Sequence, residues 1–70
     1  MDGRTRYNKT AELLRPLVGE TIHMNQIRHK IMTNIGTSEK VVRDTLRFMI
    51  DTGLMTEINH LIFRINKAEI

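Results

Sequence analysis

Residues 37–55 read TSEKVVRDTLRFMIDTGLM. Ser38 can accept a hydrogen bond from a backbone N–H one turn on, and Glu39 sets negative charge at the positive end of a helix dipole. Val42, Leu46, Met49 and Ile50 recur at helical spacing and share an inward stripe. Lys40, Arg43, Asp44, Arg47 and Asp51 follow the same spacing on the other side. A helix is therefore predicted from Ser38 to about Thr52, ending at Gly53, with an outer face that is charged almost throughout and mostly basic over its first half.

Upstream, Ile27, Ile31 and Ile35 repeat every fourth residue, flanked by Met24 and Met32. They predict an amphipathic helix capped by Asn25 and closed at Gly36, with Arg28, His29 and Lys30 outward. Thr21-Ile22-His23 suits an extended connection or a minimal strand. Before it, Ala11, Leu14, Leu17 and Val18 predict a first helix from about Lys9, with Asn8 as N-cap. Pro16 falls inside that helix, so it kinks there or ends near Arg15. Residues 1–7 form a basic arm. Gly19, Gly36 and Gly53 each follow a helical pattern, where a left-handed cap is usual.

Downstream, Leu54-Met55-Thr56-Glu57 and Leu61-Ile62-Phe63-Arg64-Ile65 are strand-like and joined across Ile58-Asn59-His60, where Asn59 tolerates a positive φ. Leu61, Phe63 and Ile65 are assigned to the core, and Ile62 and Arg64 to the other face. Residues 66–70 form a tail. The predicted class is α+β, mostly helical, a single domain of three helices and a C-terminal hairpin. Two helices joined by a tight Gly-containing turn, followed by a hairpin, is the order of a winged helix-turn-helix.

Seventy residues allow one small core and disfavour a deep catalytic cleft. With no cysteine, that core rests on Ile, Leu, Val and Met. No apolar run reaches the ~20 residues needed to span a bilayer and MDGRTRYNK has no signal-peptide core, so a cytoplasmic location is expected. Eleven Lys and Arg against eight Asp and Glu leave a net charge of +3, which favours polyanionic partners. Ser38 is the only serine, and no glycine-rich loop or spaced carboxylate cluster organises a reaction, so an enzyme is not expected. His23, His29 and His60 do not match a zinc-ligand spacing, and neither a cofactor nor a small-molecule ligand is expected.

The stretch 37–55 resembles the recognition-helix signature of winged-helix transcription regulators, with Val42, Leu46 and Met49 as its spaced aliphatics and Gly53-Leu54-Met55 opening the wing. The resemblance runs from about Lys9 to Ile65. The small size is similar to that of the compact regulators of archaea and their viruses and plasmids. The short wing departs from the family in having no basic tip. The chain also lacks the Pro-Trp wing of the left-handed-DNA binders of this fold.

The resemblance implies a duplex-DNA interface centred on the third helix. Lys40, Arg43 and Arg47 supply donors for phosphate and for guanine O6 and N7. Ser38 and the first-turn N–H groups suit a phosphate, and Glu39 can accept from cytosine N4 or repel a misplaced phosphate. Arg43 leads this set. Taken without the fold, Lys40, Arg43, Asp44 and Arg47 read as a solvated face of i,i+3 and i,i+4 ion pairs.

Supporting contacts are expected from Asn25, Gln26, Arg28 and Lys30 on the preceding helix and from Arg64 beside the wing. Arg28 and Lys30, two apart on a helix, cannot both face one strand. Arg4-Thr5-Arg6 is a minor-groove arm or a frayed terminus. Val41 and Phe48, flanking the apolar stripe, pack on the first helix or form a dimer contact with Tyr7 and Leu13. The functional expectation is a sequence-specific regulator binding as a homodimer. The alternative is a protein-interaction module using the same basic face.

Overall fold

The computed structural model describes residues 3–68. Its elements run α1 (Gly3–Leu14), a 3-10 turn (Arg15–Leu17), β1 (Thr21–His23), α2 (Met24–Asn34), α3 (Glu39–Asp51), β2 (Met55–Asn59) and β3 (Ile62–Ile65). The strands form one antiparallel sheet in the order β1-β3-β2. The domain is thus α+β and mostly helical, with β1 joined to the hairpin by the pairs Thr21 with Arg64, Ile22 with Phe63 and His23 with Ile62.

Pro16 has the expected effect: the α-helix stops at Leu14 and the chain continues as a 3-10 turn with proline in its first positions. The start of α1 differs from expectation. Asn8 is not its cap, and residues 4–7 are helical rather than an arm. Tertiary packing accounts for the longer helix, since Tyr7 packs against the core and Arg6 lies over Phe48. The Thr10 side chain is buried here, its hydroxyl donating to the carbonyls of Arg6 and Tyr7.

The cap of α2 is His23, not Asn25. Its Nδ1 accepts from the Asn25 N–H at 3.0 Å, while Gln26 Oε1 accepts from the His23 N–H at 3.0 Å, a reciprocal pair at the helix entrance. Imidazole Nδ1 serves here as the acceptor that Ser or Asn more often supplies, with the ring proton on Nε2. At the other end, Gly36 does not take the left-handed conformation, which among the described residues is confined to Gly19 (φ 88°) and Gly53 (φ 81°). Gly36 is needed for space: a Cβ there would stand 3.0 Å from Val41 Cγ1.

Ser38 caps α3 as expected, its Oγ accepting from the Val41 N–H at 3.1 Å. Val42, Thr45 and Met49 are buried on the inner face, and Leu46 and Ile50 are half-buried beside them. The rest of the core comes from Ala11, Leu14, Ile22, Ile27, Ile31, Leu54, Met55, Phe63 and Ile65. Met32, expected beside the core, is 41% exposed.

The hairpin turns at His60-Leu61 without a positive φ. Asn59 makes the turn through its side chain, Oδ1 accepting from the N–H groups of Leu61 and Ile62 at 2.9 and 3.0 Å. Leu61, assigned to the core from its alternation, is 42% exposed because it belongs to this turn. Its carbonyl accepts from the Met24 N–H at 2.7 Å. Asn66 is held rather than trailing: its backbone N–H donates to Leu54 O, and its side-chain amide donates to Gly53 O and Thr56 Oγ1. No helix among the described residues is long and apolar enough to cross a membrane.

Candidate nucleic-acid interface

With Val42, Thr45 and Met49 facing inward, the 3.6-residue period turns Lys40, Arg43, Asp44, Arg47 and Asp51 to the opposite side, and all five are exposed. Lys40 and Arg43 have no ion pair within 4.0 Å among the described residues. Arg47 Nε stands 3.9 Å from Asp51 Oδ2, a loose i,i+4 contact at the far end of the helix. Two free cations therefore occupy the first two turns of α3. Ser38 is exposed beside them with its hydroxyl committed to the cap.

Arg28 and Glu39 are engaged with each other. Arg28 Nη2 donates to Glu39 Oε2 at 2.9 Å, and Nη1 and Nη2 both donate to Oε1 at 3.2 Å. This fork ties the second turn of α2 to the first turn of α3. Hydrogen bonding to Arg28, then its charge, holds the Glu39 carboxyl below the usual carboxylate range, with Arg43 adding in the same direction. The same contact raises the Arg28 guanidinium above its ordinary value.

Asn25 and Gln26 are exposed at the start of α2, but Gln26 Oε1 is occupied by the His23 backbone. Lys30 is turned the other way, into a recess between α1 and α2 shared with Lys9, Glu12 and Leu13. The structure thus separates Arg28 from Lys30 as their two-residue spacing requires, and only Arg28 reaches α3. Arg64 lies on the central strand between the buried Phe63 and Ile65, so it emerges on the outer face of the sheet with its register partners Thr21 and Thr56.

Arg6 has a structural role that its sequence position did not reveal. Its guanidinium carbon sits 4.3 Å above the Phe48 ring centroid, and Nη2 donates to the Asp44 carbonyl at 3.4 Å. It therefore braces the flank of α3 from α1. The half-buried Val41 and Phe48 meet the first helix along this line, Val41 lining a recess with Arg6, Lys9 and Thr10. The contact joins residues 42 positions apart, across which no periodicity carries a signal. No group of three His, Cys, Asp or Glu able to hold a metal ion occurs among the described residues.

No family model, curated protein or solved structure matches this chain.

Proposed function

We propose that this chain is a winged helix-turn-helix domain that binds duplex DNA in a sequence-specific manner and acts as a transcription regulator. In this reading α3 enters the major groove, α2 crosses the backbone and the β2–β3 hairpin is the wing. The observation that carries it is the outer face of α3, where Lys40 and Arg43 stand exposed and without an ion-pair partner among the described residues, on a helix whose opposite face is buried. Two further features support it. The link from α2 to α3 is short, from Ile35 to Ser38, and the hairpin follows α3 directly, with β1 completing its sheet.

A homodimer fits the small size of the domain, since two recognition helices one turn of DNA apart multiply affinity and specificity. The defining experiment is selection of bound duplexes from a random pool. A two-fold symmetric consensus is the expected result, and recovery of no preferred sequence contradicts sequence-specific recognition.

One observation favours a second reading. Along its full length the exposed side of α3 balances Lys40, Arg43 and Arg47 with Glu39, Asp44 and Asp51. A balanced face also suits a protein partner of complementary charge. In that case the selection recovers no duplex at all.

A further inference from the structure

Arg28 and Glu39 come from different helices, yet they meet through three hydrogen bonds in a forked arrangement. Stability alone does not account for the pair. Ile27 and Ile31 of α2 and Val42 of α3 are already buried in the common core. The Glu39 side chain is 67% exposed, and ion pairs so placed add little to folding. What the fork does fix is direction: a flexible carboxylate is held in one orientation on the first turn of α3.

Charge makes the same point. A free carboxylate at this position would repel the phosphates that Lys40 and Arg43 are placed to meet. Paired with Arg28 and flanked one turn on by Arg43, Glu39 is neutralised as a net charge but keeps one lone pair, on Oε2, for another donor. The guanidinium has five N–H donors, of which the fork uses three, so Arg28 retains donors of its own.

We infer that Glu39 is a specificity-determining residue of the α3 face, accepting the exocyclic amino group of a cytosine in the major groove, and that Arg28 is its positioning residue. This rests on the DNA-binding reading above. A pre-oriented carboxylate selects that amino group over the carbonyl oxygens of guanine and thymine, which would face it as acceptor against acceptor. Arg28 contributes by holding the acceptor still, so the ordering cost of a long side chain is met before binding.

The test is a panel of duplexes built on the selected consensus, each base pair replaced in turn, titrated with wild type, Glu39→Ala, Glu39→Gln, Arg28→Ala and Arg28→Lys, with thermal melting of every variant alongside. The wild type is expected to discriminate at one G·C pair by about tenfold or more. Glu39→Ala abolishes discrimination at that pair alone, and Arg28→Ala weakens it at the same pair. Arg28→Lys retains only part, because an ammonium cannot form the fork. Glu39→Gln shifts the preference there towards adenine, whose N6 and N7 match a carboxamide. A brace with no reading role lowers the melting temperature and leaves every base preference intact, which overturns the inference while the DNA-binding proposal stands. Failure of the wild type to bind any duplex removes both.

Discussion

Gly36 and Val41 approach so closely that a single methyl group on the glycine would stand 3.0 Å from Val41 Cγ1. The contact lies in the link between α2 and α3, and it sets how near the start of the third helix can come to the end of the second. Gly53, at the other end of α3, is demanded for a different reason: its φ is +81° and nothing lies within 4 Å of an added Cβ.

These two glycines therefore respond differently to substitution. Gly36→Ala is expected to lose about 1 kcal/mol, overpacking outweighing the entropy gained by stiffening the unfolded chain, and Gly36→Val to lose more. Gly53→Ala is expected to lose about 1–2 kcal/mol through backbone strain, with Gly53→Asn recovering part because asparagine tolerates the left-handed region. Urea denaturation measures these four together with Gly36→Asn. Recovery by asparagine at position 36 as well as at 53 would show that space is not what Gly36 provides.

The two helix caps can be tested by replacement chemistry. Ser38→Ala and His23→Ala each remove the side-chain acceptor of a first-turn N–H and should cost about 1 kcal/mol. Ser38→Asp and His23→Asn restore an acceptor and should regain most of it. If Asn25 were the true cap of α2, Asn25→Ala would be the costly change and His23→Ala the silent one.

The Arg28–Glu39 fork predicts a pH dependence with a definite sign. Because the folded-state pKa of Glu39 is depressed, its contribution is present above the unfolded carboxyl value, about 4.3, and is lost as the pH falls through the folded value. The raised pKa of Arg28 reflects the same contact seen from its partner, and because the guanidinium titrates far above neutrality, only the carboxylate changes charge in the acid range. Wild type and Arg28→Ala should accordingly differ in melting temperature at pH 7 and converge in acid, once the pH has fallen through the depressed folded-state value of Glu39. The difference should be small, since the carboxylate is exposed, and a gap that persists undiminished in acid would assign it to lost packing of the arginine stem.

The third helix was legible because its signals are local: Ser38 before the first turn, a 3.6-residue stripe from Val42 to Met49, and Gly53 after the last. The hairpin was legible from two short strand-like runs on either side of Asn59. Where reading failed, a contact between distant segments had overridden a local preference. Asn8 has the chemistry of an N-cap, but α1 starts earlier, with Arg6 and Tyr7 resting on α3 and the core. Leu61 alternates correctly with Phe63, yet the Asn59 side chain shortens the strand and leaves it in the turn.

The candidate interface divides in the same way. Lys40, Arg43 and Arg47 share a face that follows from helical period alone. The pairing of Arg28 with Glu39 depends on how two helices cross, a relation that their eleven-residue separation does not encode. Lys30 has the same charge as Arg28, but two residues of helix rotation carry it to α1.

The central claim is that the first turns of α3 meet the phosphates and bases of duplex DNA, and it is tested most directly by titrating wild type and Arg43→Ala on the selected duplex and on random duplex at several salt concentrations. The account predicts that wild-type affinity falls steeply as salt rises, through counterion release, and that Arg43→Ala costs about 1–3 kcal/mol on the selected site and much less on random DNA. Wild-type affinity for duplex that is absent, or indifferent to salt, would contradict it.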